Sequence, residues 1–562
     1  MDAGTKLDRI GASLKKFTCT LGLLPLLCCL TISSVAQDTP RLEKKDGRFA
    51  LMVEGKPFLM LGAQINNSSS WASELPKVWP ALEDMHVNTV EAPVYWETME
   101  PEPGKFDFGT IDLLVNGARE HHLHLVLLWF GTWKNGQAHY VPEWVKNNPQ
   151  KYPREISSYG KVLDVLSPNS ANNLEADKHA FSALMRHVKE IDAAQHTVIM
   201  IQVENESGSI GSVRDFSATA QKEFDGQVPP DLTRSLHKED GTWSKVFGAD
   251  ADERFAAYST ARYIGEVARA GKAEYPLPMY CNVWITYPVA ALENRDHPSP
   301  GQEYPSGGPQ QGNIAIWKAA APSIDVLAPD FYSDNRDLYH SVIATYHRDD
   351  NALFIPETGR GANFGAFFFY ALGHGAIGFS PFGVDYTGWW GGEHKVPETL
   401  SENYALLKPM AAELAQLNFD GKLQTAVEQR GMPRQRLHFG DVDAIVSFGF
   451  PQRDGETPPG TGDQHGRAIV AQLGPLEFLV TGFDASVSFS LRGASGTPSP
   501  TEQIEILRAD EGQYVDGSWQ TSRIWNGDQT DRGLNFRGPN KSVVRILLHK
   551  LPLYDDSIRG RK

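Results

Sequence analysis

From about residue 58 to 420 the chain alternates short, wholly apolar runs with longer stretches whose apolar positions recur every three or four residues. The short runs are Phe58 to Gln64, Thr89 to Tyr95, Leu123 to Trp129, Val198 to Val203, Met279 to Trp284, Val326 to Phe331, Ala352 to Ile355 and Ala376 to Pro381. Apolar on both faces, they predict strands of a parallel sheet flanked by helices. The periodic stretches predict helices over Leu75 to Met85, Ile111 to His122, Leu174 to Ala194, Tyr258 to Glu274, Ile314 to Ala320, Leu338 to His347, Phe364 to Leu372 and Glu402 to Leu417. Eight strands, each followed by a helix, predict an α/β chain folded as a (β/α)8 TIM barrel over residues 49–420. The competing open, doubly wound sheet would carry a glycine-rich phosphate loop after its first strand, and the sequence has none there.

Two flanking patterns differ. Phe49 to Phe58 reads as a hairpin turning at Glu54-Gly55, preceded by a polar linker over 37–48. Beyond Gly421 the runs become short and alternating: Ala444 to Phe450, Ala468 to Leu473, Glu477 to Thr481, Val487 to Leu491, Gln503 to Leu507 and Val543 to Leu548. With Gly/Pro-rich turns between them, they predict a β-sandwich-like C-terminal domain over 421–562, either structural or carbohydrate-binding. The longest insertion, Ser207 to Ala257, follows the fourth strand and reads as loop-rich.

The polar positions that break these apolar runs carry the candidate chemistry. Ile199-Met-Ile-Gln-Val-Glu-Asn-Glu-Ser-Gly-Ser209 ends its strand in acidic groups, and Leu353-Phe-Ile-Pro-Glu-Thr-Gly359 does the same on strand seven. Catalytic groups of such barrels sit at the C-terminal ends of strands, and two carboxylates brought there from distant segments are what glycoside hydrolysis requires. Trp96, Trp129, Trp133, Trp284, Trp389 and Trp390 fall at or just beyond strand ends, where flat rings can stack on a sugar. His121, His122 and His124 straddle a helix end and a strand start without ligand spacing, so neither a metal nor another cofactor is expected.

Charge and termini narrow the setting. The formal net charge is −16, and removing the first 36 residues with their four basic and two acidic groups leaves −18, which argues against nucleic acid or anionic lipid as partner. Residues 1–36 have the anatomy of a secretory signal peptide: Lys6, Arg9, Lys15 and Lys16, an apolar run from Leu21 to Ile32, then Ser34-Val-Ala36. A periplasmic or secreted protein without an integral membrane span after cleavage is expected. Cys19, Cys28 and Cys29 lie in that segment, so Cys281 would stay alone, without an intrachain disulfide.

Gln202-Val-Glu-Asn-Glu-Ser-Gly-Ser209 resembles the acid/base signature of glycoside hydrolase family 35, with Ser207 where Tyr is usual, and Asn88-Thr-Val-Glu-Ala-Pro-Val-Tyr-Trp-Glu-Thr-Met-Glu-Pro101 resembles its second-strand motif. The resemblance spans residues 50 to 420 and implies a retaining β-glycosidase, chiefly a β-galactosidase acting on oligosaccharides or plant cell-wall side chains. It assigns Glu206 as acid/base, Glu357 as nucleophile, Asn205 as partner of the sugar 2-hydroxyl and Tyr332 as a donor to the nucleophile. Three departures bear on the sugar. Pro93 stands for a sugar-binding Tyr, Glu97 for an Asn, and Phe130-Gly-Thr-Trp133 for a Cys-Ala-Glu-Trp run. A β-arabinoside, β-glucoside or β-mannoside is the alternative substrate, and a non-catalytic carbohydrate-binding protein the alternative of another class.

Overall fold

The computed structural model describes residues 39–286, 299–388, 395–448, 465–493, 496–499, 501–515, 517–531, 533–536 and 541–553. The expected signal peptide, Trp389 and Trp390 lie outside them.

Eight parallel strands close into a barrel in sequence order: β1 (Met60–Gln64), β2 (Thr89–Tyr95), β3 (His124–Lys134), β4 (Val198–Asn205), β5 (Met279–Trp284), β6 (Val326–Phe331), β7 (Ile355–Thr358) and β8 (Gly378–Pro381). The period of two along a strand sorts its side chains between two cores. On β3, Leu125, Leu127 and Trp129 join the shell under the helices, whereas Val126, Leu128 and Phe130 fill the interior with Met60, Tyr280 and Phe354. Leu51 and Val53 belong to the same interior cluster, so the sheet that precedes the barrel closes one end of it.

That sheet corrects one boundary. The expected linker over 37–48 contains a strand, Arg41–Lys45, paired antiparallel with Arg48–Val53, which pairs in turn with Lys56–Phe58. Its charged composition reads as linker in sequence, but charged residues are what an edge strand carries.

Other differences matter for the site. Strand β3 runs five residues past the predicted Trp129, to Lys134, and β7 begins at Ile355, which brings Glu357 inside the strand opposite Asp330. The insertion after β4 is less loop-like than expected, with helices Ala218–Phe224, Pro230–Ser235 and Trp243–Phe247 before the long helix Ala251–Glu274. The last predicted helix divides into Glu398–Leu407 and Ala411–Phe419 around Pro409, whose ring nitrogen cannot donate to the helical ladder.

The C-terminal region is a sandwich of a six-stranded and a four-stranded sheet, enclosing Val446, Phe448, Val470, Phe478, Val480 and Ile546. Strands Arg434–Phe439 and Ser518–Ile524 escape the sequence pattern because polar, largely exposed residues dominate them. Leu423, Ile469, Leu479 and Phe483 extend the barrel's shell core, and buried Arg467 donates to Asn403 at 2.9 Å while stacking over Phe483 at 3.9 Å. The sandwich is thereby packed on the barrel's last helices.

Candidate active site

The C-terminal strand ends converge on a cavity of about 680 Å³ lined by Lys134, Glu206, Trp284, Asp330, Tyr332 and Glu357, among others. Glu206 and Glu357, from β4 and β7, are both buried, and with Asp330 of β6 they present carboxyl oxygens that all lie within 4.8 Å of one another.

Each carboxyl has distinct partners. Glu357 accepts from the Tyr332 hydroxyl at 2.6 Å through Oε1 and from Gln64 Nε2 at 3.1 Å through Oε2, the environment that suits a fixed carboxylate. Burial, then the charge of Glu357, pushes the Tyr332 phenol well above its ordinary pKa and so keeps it a donor. Glu206 is raised to about 7, first by burial and then by the Glu357 charge, against the opposing pull of Lys134 and a hydrogen bond from Asp330. It is therefore largely protonated below neutral pH, as a general acid must be. Asp330 is pushed up by burial and by both glutamates. Asn282 ties the group together, accepting from the Glu206 backbone N–H at 2.9 Å and donating to Asp330 Oδ2 at 2.7 Å.

The end of β4 is held in an uncommon shape. Glu204 and Glu206 have φ of 63° and 43°, a left-handed conformation that costs non-glycine residues energy unless the surroundings impose it. They do so from β3. The Trp133 backbone N–H donates to Glu204 Oε2 at 2.7 Å, and a Cβ on Gly131 would lie 2.3 Å from Trp129 Nε1 and 2.8 Å from Glu204 Oε1, so this close approach requires glycine. Behind it, Asp177 accepts from Trp129 Nε1 at 3.0 Å, Thr132 Oγ1 at 2.7 Å and the Tyr263 hydroxyl at 3.2 Å. Beyond β3, Asn135 and Gly136, with φ of 54° and 68°, form a two-residue turn that bridges Lys134 to Gln137. That turn clips the strand end. The Asn135 N–H donates to Asn205 O at 3.2 Å and the Gly136 N–H to Glu206 O at 3.0 Å.

The structure sorts the expected tryptophans. Trp284 lines the cavity and is 41% exposed, open to stack on a ligand. Trp96, Trp129 and Trp133 are corrections: all three are fully buried packing residues. Trp96 donates to Glu100 at 2.8 Å, Trp129 to Asp177, and Trp133 stands edge-on to Tyr263 at 5.0 Å. Position at a strand end does not fix direction, and alternate side chains there point into the helical shell. Asn205 is buried beside Lys134, whose Nζ donates to its Oδ1 at 2.7 Å.

Sequence reasoning missed Asp330, Asn282, Gln64 and Lys134. Asp330 carried the same signal as Glu357, an acid near the end of a buried strand. Lys134 preceded an Asn-Gly turn dipeptide but lay beyond the predicted strand. Glu206, Asp330 and Glu357 are also the one acidic group among the described residues with metal-ligand spacing. The Tyr332 and Gln64 donors and the Lys134 charge already complement these carboxyls.

Two family models match parts of the chain. The model of glycosyl hydrolases family 35 matches residues 50–266, and that of a domain of unknown function, DUF5597, matches residues 400–537. Over residues 50–266, which hold the first four barrel strands, the chain is similar to glycosyl hydrolases family 35. Beta-galactosidase 14 of Arabidopsis thaliana is 24% identical over 203 residues, which cover 34% of this chain and 21% of that protein. The chain thus matches about a fifth of that relative's length. Among solved structures, the beta-galactosidase of the psychrophilic Marinomonas ef1 aligns with a TM-score of 0.46 at 13% identity, covering 63% of this chain and 61% of that one. That of Bacillus circulans sp. alkalophilus gives the same score and identity, covering 63% and 57%.

Proposed function

We propose that this chain is an exported retaining β-galactosidase that removes terminal β-galactosyl residues from oligosaccharides or plant cell-wall side chains by double displacement. The observation that carries the reading is the approach of the Glu206 and Glu357 oxygens to within 4.8 Å. Retaining enzymes hold their two carboxyls about 5–5.5 Å apart, whereas inverting enzymes need about 6.5–9.5 Å to seat a water. In the first step Glu357 attacks the anomeric carbon while Glu206 gives its proton to the departing oxygen. In the second, ionised Glu206 takes a proton from water, which displaces Glu357. Asn205 serves the 2-hydroxyl, and Trp284, at the open rim, suits the leaving group. The galactose assignment draws support from the family match and the plant relative's name. Export draws on the anatomy of residues 1–36.

One observation favours the same chemistry on another sugar. Thr132, which stands where the family resemblance expects a glutamate, is buried and gives its hydroxyl to Asp177, so the group contacting the sugar there differs. The test is nitrophenol release from a panel of aryl β-glycosides by wild type, Glu206→Ala and Glu357→Ala, with and without azide. Preference for the galactoside is expected, with a β-glycosyl azide from Glu206→Ala and an α-glycosyl azide from Glu357→Ala. Preference for another glycoside reassigns the sugar, and sugar binding without cleavage makes the chain a recognition protein.

A further inference from the structure

The site contains a buried cation outside the pair of reacting carboxyls. Lys134 is 6% exposed, lines the cavity, and sits at the end of β3 directly opposite Asn205 in the parallel register. Its ammonium donates to Asn205 Oδ1 at 2.7 Å and to Asn135 Oδ1 at 2.6 Å, and lies 5.1 Å from the centre of the Phe130 ring. Burying a lysine is expensive unless its donors are satisfied, so its placement asks for a purpose.

The consequence falls on Asn205. An amide can be turned either way about its last bond, and the two ends differ in chemistry: one accepts, the other donates. A lysine ammonium has donors and no acceptor, so Lys134 permits one orientation, with Oδ1 towards the ammonium and Nδ2 away from it. Nδ2 is buried and has no hydrogen-bond acceptor among the described residues. A buried donor left without a partner is costly, and a substrate hydroxyl would satisfy it. The same turn that carries Lys134 also holds the Asn205 and Glu206 carbonyls through the Asn135 and Gly136 N–H groups.

We propose that Lys134 is the positioning residue of the sugar 2-hydroxyl contact: it locks the Asn205 amide so that Nδ2 donates to that hydroxyl. The inference rests on the glycosidase reading above. Lys134 acts on this contact through Asn205, so its removal penalises substrates that carry the 2-hydroxyl more than those that lack it, which feel only the lost charge beside Glu206.

The experiment takes the aryl β-glycoside that wild type cleaves best and its 2-deoxy analogue. kcat/KM is measured on both for wild type, Lys134→Met, Lys134→Arg, Asn205→Ala and the Lys134→Met/Asn205→Ala double variant. The ratio of kcat/KM on the 2-hydroxy substrate to that on the 2-deoxy substrate cancels the fraction of folded enzyme, and comparing it between variant and wild type cancels the faster intrinsic chemistry of 2-deoxy sugars. Removing one donor that strengthens in the transition state costs about a hundredfold, so Lys134→Met and Asn205→Ala each lower the ratio by about that factor. The double variant is no worse than Asn205→Ala, because both act on one contact. Lys134→Arg, which keeps a donor, retains part of the ratio and stays measurable if the methionine variant fails to fold. Equal losses on both substrates, or additive losses in the double variant, overturn the role of Lys134 while leaving the glycosidase reading intact. A wild type that cleaves no aryl glycoside overturns both.

Discussion

Removing the Tyr332 hydroxyl tests the pairing of nucleophile and donor most directly. Tyr332→Phe deletes the 2.6 Å bond to Glu357 Oε1 and leaves the ring, which is 46% exposed, so the fold should be unaffected. The bond is strongest when Glu357 is a full carboxylate, weaker in either transition state, and weakest in the covalent ester, where the oxygen carries little charge. Loss of the phenol therefore destabilises the free enzyme and the transition states relative to the glycosyl-enzyme. A hydrogen bond to a charged group contributes about 1.5–3 kcal/mol, and a transition state with about half the charge gives up about half of that. Breakdown of the ester then slows by about 0.8–1.5 kcal/mol, roughly four- to twelvefold. With a dinitrophenyl glycoside, whose first step is fast, kcat falls about four- to twelvefold, KM falls with it as the ester accumulates, and a burst of dinitrophenol precedes the steady state. A kcat within twofold of wild type, or a parallel fall of kcat and kcat/KM with no burst, would refute the reasoning.

The pH profile follows from Glu206. Held near 7, its proton is lost above that pH, so kcat/KM falls on the alkaline side with a midpoint near neutrality, and Glu206→Gln abolishes that limb. A profile flat to pH 9 contradicts the acid/base assignment. The tryptophans separate by burial. Trp129→Phe loses the bond to Asp177 and lowers Tm by an amount worth about 1–3 kcal/mol, with KM unchanged, whereas Trp284→Ala raises KM up to about tenfold with Tm unchanged. The opposite pattern would exchange their roles. Glu155 is fully buried, accepts from Ser209 Oγ at 2.5 Å, and is raised to about 8 by burial and by Asp215. Its neutral form is favoured in the folded state, so its contribution is whole below the unfolded value near 4.5 and is lost as pH rises towards 8. Glu155→Gln should therefore gain stability over wild type between melts at pH 5 and pH 8. A pH-independent difference would show that the carboxyl is not neutral in the fold.

Much of the molecule was legible before any coordinates. The eight apolar runs specify their own burial, and parallel strands with intervening helices leave few ways to close a sheet, so the barrel and the strand numbers of Glu206 and Glu357 follow from pattern alone. Charged and polar edges hide from that reading, which is why Arg41–Lys45 looked like linker and Ser518–Ile524 was not among the predicted strands. The direction of a side chain at a strand end is another limit. It depends on a one-residue register, and Trp129 and Trp133 turn into the shell while Lys134 turns to the cavity. What tertiary structure alone decided is the electrostatic state of the site. The charges and donors around Glu206 come from β3, β5, β6 and β7, separated by tens to hundreds of residues. Sequence order determines which acids arrive at the barrel mouth; burial and those neighbours determine which keeps its proton.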